Sequence, residues 1–170
     1  MIIGIPSEIK PGEERVAMSP ANVQSLTDKS VQVLFQTNAG SAAGYPNAEY
    51  TAAGATLTDD RAEIFAKADI VLQVQSFGSN NDNSASDLAS LRKGQLVIGM
   101  MDPLAAPQAA QAVADKGASA IALELVPRIS RAQSMDVLSS MATLSGYKAV
   151  LMGASAAPRI FPMLMTAAGT

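Results

Sequence analysis

The sequence predicts an α/β domain in which helices cover both faces of a parallel sheet. Short apolar runs recur along the chain as far as Leu123, and stretches with helical start and stop signals separate them. The runs are continuous rather than alternating, which is typical of strands buried on both faces. Alternating strands and helices favour a doubly wound sheet with right-handed crossovers. The predicted strands span 2–5, 31–35, 70–74, 96–100 and 119–123.

Cap and turn residues mark the helices between these strands. Ser19 followed by Pro20 predicts a helix start, and this helix runs to about Thr27. Asn47 is expected to cap a short helix through Ala53, which Gly54 ends. Two further helices are expected, one from Asp59 or Asp60 to about Ala66 and one from Ala105 to Lys116, ended by Gly117. Residues 77–86 are almost all turn formers and predict a mobile surface loop. Together these elements predict a Rossmann-like (flavodoxin-like) fold.

Composition narrows the chemistry that this chain can perform. With 170 residues, 48% of them hydrophobic and 16% charged, the chain can bury the core of one ordinary domain. A net charge of −3, without a basic cluster, excludes the electrostatic footprint of a nucleic-acid-binding surface. The absence of cysteine and histidine excludes disulfides, thiol nucleophiles, Ser-His-Asp triads and histidine metal sites. These absences favour binding and positioning over proton chemistry.

Neither a secretory signal nor a membrane span is predicted. The apolar start ends at Pro6 and has no basic flank. The most apolar tract, residues 137–170, is interrupted by charged residues and prolines, so it falls short of the roughly 20 apolar residues of a span. We therefore expect a soluble, cytoplasmic chain.

The densest group of polar side chains lies in residues 127–136, directly after an apolar run. Ligands of open α/β sheets bind just past the carboxyl ends of the strands, where guanidinium, amide and carboxylate groups can hold one planar ligand. The alternative is a solvated loop that caps the next helix through Ser134 or Asp136. Spacing alone leaves both interpretations open.

Glycine spacing gives no phosphate-binding fingerprint. The sequence has no Gly-x-Gly-x-x-Gly motif, and residues 40–44, Gly-Ser-Ala-Ala-Gly, lack its paired glycines. We therefore interpret residues 40–44 as a structural turn rather than a dinucleotide-binding loop.

Several motifs together identify a family. The string Arg128-Ile-Ser-Arg-Ala-Gln-Ser-Met-Asp-Val-Leu-Ser-Ser-Met-Ala, followed by Ser145-Gly146-Tyr147, resembles the NAD(H)-binding component of proton-translocating NAD(P) transhydrogenases. Residues 3–10 and 14–20 are similar to the start shared by transhydrogenases and alanine dehydrogenases, and residues 52–55 and 165–170 fit the same family. The resemblance covers essentially the whole chain.

The resemblance implies a role for the polar loop. Arg128, Gln133 and Asp136 would orient the nicotinamide, with Ser139 and Tyr147 as further contributors. The implied organisation is an N-terminal α/β domain over 1–126, a nicotinamide-facing loop over 127–136 and connecting helices over 137–170. These C-terminal helices would begin a second nucleotide-binding domain, whose glycine motif is absent here.

The two connecting helices have different sequence signals. One is predicted over 137–153 and is rich in small residues, which suits tight helix packing or the close approach of a cofactor. Pro158 is expected to start the other, which would carry Met163 and Met165.

The resemblance also implies the activity and partners of the complete enzyme. It would transfer hydride from NADH to NADP+ and couple this transfer to proton translocation. NADP(H) would bind a partner component, and a membrane-spanning component would place the assembly at the inner face of the cytoplasmic membrane. We expect a homodimer, because residues 137–170 carry an apolar surface that a two-fold partner could cover.

Two alternatives remain open at this point. In alanine dehydrogenases an arginine in the context of Arg15 holds the substrate carboxylate, although here it could simply pair with Glu13 or Glu14. Gln73, Gln75 and Asp102 stand where that activity needs lysines and a histidine, so we expect no alanine oxidation. The other alternative is a non-catalytic interaction domain with the same fold.

Overall fold

A computed structural model of the chain describes residues 1–80 and 82–161. The chain divides into two compact units, Met1–Leu125 and a second unit that begins at Val126. The first contains the α/β fold that the sequence predicts, and the expected division at 126 and 136 stays a prediction.

The first unit is built on a six-stranded sheet in which every neighbouring pair is parallel. Its strands are β1 (Ile2–Ile5), β2 (Gln32–Gln36), β3 (Thr56–Thr58), β4 (Ile70–Gln75), β5 (Leu96–Met100) and β6 (Ser119–Ala122). The order is β3-β2-β1-β4-β5-β6, which is the Rossmann order. Numbered among themselves, the five predicted strands lie in the flavodoxin-like order 2-1-3-4-5, and the unpredicted β3 adds an edge strand. The predicted fold class is therefore confirmed.

Helices pack on both faces of this sheet. The first unit contains α1 (Pro20–Thr27), α2 (Asn47–Ala52), α3 (Arg61–Lys67), α4 (Ala85–Ser90) and α5 (Pro107–Asp115), with 3-10 helices at Phe77–Asn80 and Leu123–Leu125. Val23 of α1 and Tyr50 of α2 are fully buried in one apolar cluster, together with Ile5 of β1. Gly4, the neighbour of Ile5, faces α3, because a Cβ there would lie 2.5 Å from Cγ2 of Ile64. Glycine at this position therefore allows α3 to approach the sheet closely.

The helix starts follow the sequence signals with one correction. The Oδ1 of Asp60 accepts a hydrogen bond from the amide of Ala62 at 2.8 Å, which caps α3 as expected. The prediction that Asn47 caps α2 is wrong, because Asn47 is the first residue of the helix. Its side chain bonds Asn38 instead, accepting from the Asn38 amide at 2.8 Å and donating to Oδ1 at 2.9 Å.

The prediction of a surface loop over 77–86 also needs correction. The described residues of this segment begin with a 3-10 helix, and Phe77 and Asn80 are buried at its two ends. Ser84 is buried as well, and α4 begins at Ala85. The single phenylalanine draws the segment into the core beside β4 and β5, so its polar composition does not place it in solvent.

The short glycine segment forms a turn, as predicted. Gly44 has a φ of +88°, a conformation that favours glycine. Gly40 packs against Tyr50, since a Cβ at this position would lie 2.5 Å from Cε2 of the ring. The glycines thus serve the turn and the packing of α2.

Within residues 126–161, the second unit contains a 3-10 helix, Ser130–Met135, and a long helix, α6 (Val137–Ala156). No residue of α6 is buried, although the sequence favoured tight packing of its small residues. Pro158 starts no helix within the described residues up to 161, while Met163 and Met165 lie outside the described residues. In the part of the chain that the structure describes, no helix is long and apolar enough to cross a membrane.

Candidate functional site

The segment between Pro127 and Asp136 folds around a small cavity. The amide of Ile129 donates to the carbonyl of Pro127 at 2.9 Å, and the amide of Ala132 donates to that of Ile129 at 2.9 Å. Ala132 is buried and anchors the 3-10 helix of this segment. The cavity has a volume of about 280 Å³ and is lined by Arg128, Ile129, Ser130, Gln133, Asp136 and Ser139.

Asp136 both caps α6 and lines the cavity. Its Oδ1 accepts from the amide of Ser139 at 2.9 Å, and its Oδ2 accepts from the hydroxyl of Ser139 at 2.5 Å. The hydroxyl and amide of Ser139 lower the pKa of Asp136, and the charge of Arg128 lowers it further. Asp136 is therefore a fixed negative charge at the start of α6. The capping interpretation is correct for Asp136 rather than Ser134, and it is compatible with a ligand site.

Arg128 and Gln133 leave their polar groups available to a ligand. Both residues are exposed and both line the cavity. Within residues 1–80 and 82–161, neither side chain takes part in a hydrogen bond or an ion pair. A guanidinium and a primary amide together offer several donors and one acceptor, which matches the donor and acceptor of a carboxamide.

The cavity brings together four of the five predicted site residues. Arg128, Gln133, Asp136 and Ser139 line it, whereas Tyr147 does not. Tyr147 is 67% exposed and lies eight residues after Ser139 on α6, about 12 Å further along the helix axis. The cofactor roles of these residues, including that of Tyr147, stay predictions.

The guanidinium of Arg15 is paired with the carboxylate of Glu13. Its Nε donates to Oε1 of Glu13 at 2.7 Å and its Nη2 to Oε2 at 2.5 Å, and Nε2 of Gln75 donates to the same Oε2 at 3.1 Å. The Arg15 guanidinium lowers the pKa of Glu13 to about 2. The structure therefore supports the simpler interpretation of Arg15 as the partner of Glu13.

Gln73 is also committed to a structural contact. It is buried, and its Nε2 donates to Oδ2 of Asp87 at 3.1 Å. Asp102 is exposed, and its amide donates to the carboxylate of Glu124.

Among the described residues, no cluster of three or more acidic side chains could hold a metal ion.

The sequence did not single out two residues that line the cavity, or Glu124, which precedes the loop in the chain. Ile129 and Ser130 line the cavity but resemble ordinary loop residues in the sequence. Glu124, at the carboxyl end of β6, accepts two backbone hydrogen bonds from the end of β5. A charged residue directly after the apolar strand predicted over 119–123 was the available signal for Glu124.

Comparison with known proteins agrees with these motifs. Residues 4–145 match a family model described as "Alanine dehydrogenase/PNT, N-terminal domain". The chain is 41% identical over all 170 residues to a component of NAD(P) transhydrogenase subunit alpha from Rhodospirillum rubrum, and it covers 44% of that protein. Alanine dehydrogenase of Bacillus subtilis is 34% identical over 154 residues, which are 91% of this chain and 38% of the relative.

Solved structures have the same fold. The crystal structure of transhydrogenase from Sinorhizobium meliloti superposes with a TM-score of 0.86 at 41% identity, covering 99% of this chain and 48% of that one. An L-alanine dehydrogenase superposes with a TM-score of 0.79 at 28% identity, covering 91% of this chain and 40% of that one. The chain thus spans less than half the length of the relatives it matches. The resemblance found in the sequence is confirmed, and the chain belongs to the alanine dehydrogenase/PNT N-terminal domain family.

Proposed function

We propose that this chain is part of the NAD(H)-binding component of a proton-translocating NAD(P) transhydrogenase. The observation that carries the proposal is the cavity in which Arg128 and Gln133, whose side chains pair with no other residue of 1–80 or 82–161, lie beside the charged Asp136. The names and higher identity of the transhydrogenase relatives support it over an alanine dehydrogenase.

The size and chemistry of the cavity fit the nicotinamide end of NADH. At about 280 Å³ it is smaller than the roughly 300–1,000 Å³ of pockets that enclose a whole drug-sized ligand. Arg128 and Gln133 would bind the carboxamide of the nicotinamide. Asp136, whose carboxylate is held by Ser139, would accept a hydrogen bond from a donor of the ligand. Tyr147 would contribute from further along α6. When bound, NADH supplies the hydride, and the residues of the chain supply its orientation.

The proposal extends to the partners of the complete enzyme. NAD(H) would bind the component that contains this chain, and NADP(H) would bind a second component. A membrane-spanning component would couple hydride transfer to proton translocation and hold this cytoplasmic part at the inner face of the membrane. Transfer between two nicotinamides needs alignment rather than a protein acid or base, which suits a chain without histidine or cysteine.

The test is a pair of assays on a complete transhydrogenase whose alpha subunit carries this segment. We expect hydride transfer from NADH to an NADP+ analogue and no formation of NADH from alanine and NAD+. The second expectation follows because Glu13 occupies Arg15, and Gln73 and Gln75 provide no amine base. Arg15→Ala is the control, since it should leave hydride transfer unchanged. Alanine-dependent NADH formation that is lost in Arg15→Ala would instead establish an amino-acid dehydrogenase.

We also propose that the chain forms homodimers through α6. None of the residues of α6 is buried, and Leu144, Tyr147 and Val150 are each more than half exposed. Two-fold pairing is the most common way to cover such a surface. Sedimentation velocity should detect a dimer that Leu144→Glu dissociates. Leu104→Glu, at an exposed leucine of the first unit, is the matched control and should remain dimeric. A monomer at high concentration would rule out this interface.

A further inference from the structure

Ile129 gives the cavity at the start of α6 an apolar side. Of the described residues that line this cavity, it is the only one with a purely hydrocarbon side chain, since the other five carry a charge, an amide or a hydroxyl. Ligand pockets combine apolar walls with a few polar groups that fix the orientation of the ligand. Ile129 is thus the lining residue that suits the hydrocarbon part of a ligand.

The backbone of Ile129 is held at both of its polar groups. Its amide donates to the carbonyl of Pro127, and its carbonyl accepts from the amide of Ala132, each at 2.9 Å. Ala132 is buried, so the second hydrogen bond ties Ile129 to the anchored part of the 3-10 helix. Because its amide is in use and its carbonyl already accepts, Ile129 offers a ligand its side chain.

The side chain of Ile129 is accessible to such a ligand, since the residue is 56% exposed. A single exposed apolar residue is normal on a protein surface and has no meaning by itself. Met135, in the same segment, is 57% exposed and does not line the cavity. What distinguishes Ile129 is its place among the polar side chains of the cavity.

A nicotinamide group has a polar edge and two apolar faces. The carboxamide lies at the edge of the ring, where Arg128 and Gln133 would bind it in the proposed function. The two faces offer no hydrogen-bonding group, and an aliphatic side chain can cover one of them by apolar contact. A hydride leaves C4 from only one face, so the opposite face is free to be covered.

We propose that Ile129 is a contact residue for the nicotinamide ring, and that its side chain packs against the face opposite to the one from which the hydride leaves. The inference rests on the proposed function and deepens it, because Ile129 would support the ring while the polar residues bind the carboxamide. The transfer breaks one C4–H bond of NADH and moves the hydrogen with its electron pair to C4 of the nicotinamide of NADP+. NADH is oxidised, NADP+ is reduced, and Ile129 supplies neither an atom nor an electron.

The test compares the binding of NADH with that of ADP-ribose, which has a hydroxyl in place of the nicotinamide, in the complete enzyme. Ile129→Ala should raise the dissociation constant of NADH by about 3- to 10-fold, because an apolar contact with the ring is lost. It should change that of ADP-ribose by less than about 2-fold. Met135→Ala is the matched control, since it removes an equally exposed apolar side chain outside the cavity and should change neither constant.

Two further variants keep the inference falsifiable. Ile129→Leu keeps the aliphatic volume and should bind NADH within about 2-fold of wild type. If Ile129→Ala fails to fold, Ile129→Thr decides, because it keeps the branched shape, places a hydroxyl against the ring and should weaken the binding of NADH alone. Unchanged NADH binding in Ile129→Ala or Ile129→Thr, or equal losses for NADH and ADP-ribose, would overturn the inference.

Single-turnover hydride transfer in Gln133→Ala, measured in the same preparation, separates the two proposals. If Gln133→Ala slows transfer and the Ile129 variants bind NADH as the wild type does, only the role of Ile129 is refuted. If Gln133→Ala also transfers hydride at the wild-type rate, the nicotinamide lies outside this cavity, and the proposed role of the cavity fails as well.

Discussion

Asp87→Ala is expected to lower the free energy of unfolding by about 3–5 kcal/mol, the usual cost of removing one partner of a buried ion pair. Asp87 is 2% exposed, and its two oxygens accept from Nε of Arg61 at 2.7 Å and from Nη2 at 2.5 Å. Gln73 donates to the same carboxylate. Removing the carboxylate would leave Nε and Nη2 of Arg61 and Nε2 of Gln73 without this acceptor in a largely buried environment.

This ion pair joins several elements of the first unit. Arg61 belongs to α3 and Asp87 to α4, while Gln73 lies on β4. Arg61 also donates from Nη1 to the carbonyl of Ser7 at 2.6 Å, and Ser7 lies in the segment that follows β1. The carboxylate therefore links α3, α4 and β4, and Arg61 extends the network to the segment after β1, so its loss cannot be confined to one element.

Urea unfolding of the 170-residue chain, followed by circular dichroism, measures this effect. Glu63→Ala provides the matched control, since it removes the partly exposed partner of Lys67 on the same helix and should destabilise the chain much less than Asp87→Ala. If Asp87→Ala costs no more than Glu63→Ala, the Asp87 pair is not a central support of the fold.

The sequence predicted the parallel sheet because its central strands are buried on both faces. β1, β2, β4, β5 and β6 each contain a continuous apolar run, and each was predicted within one or two residues of its ends. β3, Thr-Leu-Thr, is three residues long and contains a single apolar residue, so it has no apolar run to detect. Its pairing with β2 comes from tertiary structure rather than from local pattern.

Long-range polar contacts were the other feature that local pattern did not reveal. The segment 77–86 resembles a loop in composition, yet Phe77 is buried in the core. Asp87, the residue after this segment, pairs with Arg61, which is 26 residues earlier in the chain. Sequence spacing does not show that such residues meet. The same reason explains why Glu124 was missed, since its partners, Met101 and Asp102, lie more than 20 residues away.

The polar loop was easier to identify because its residues are close in sequence. Arg128, Gln133 and Asp136 lie within one short segment, and the structure places all three around one cavity. Whether Asp136 was a helix cap or a ligand residue could not be decided from spacing. The structure removes the conflict, because the carboxylate caps α6 through Ser139 and still faces the cavity.

Substitutions in this loop should slow hydride transfer far more than they weaken NADH binding. In the complete enzyme we expect Gln133→Ala and Asp136→Asn to reduce the rate by about 10-fold or more with little change in the dissociation constant. Binding that is equal in the ground and transition states sets affinity, whereas orientation achieved only in the reactive geometry sets the rate. Arg128→Ala should slow transfer similarly and also weaken binding, since it would lose a direct contact with the carboxamide or ribose.

The most direct test of the account is the single-turnover rate of hydride transfer in Gln133→Ala, measured beside Arg131→Ala in the same complete enzyme. Arg131 lies in the same 3-10 helix as Gln133 but does not line the cavity. Its removal therefore changes the loop and leaves the side chains that line the cavity in place. The account predicts that Gln133→Ala loses about 10-fold or more in rate, that Arg131→Ala keeps the wild-type rate, and that both bind NADH with nearly unchanged affinity. Wild-type transfer in Gln133→Ala, or equal losses in the two variants, would show that the loop is a capped turn and that the nicotinamide is oriented elsewhere.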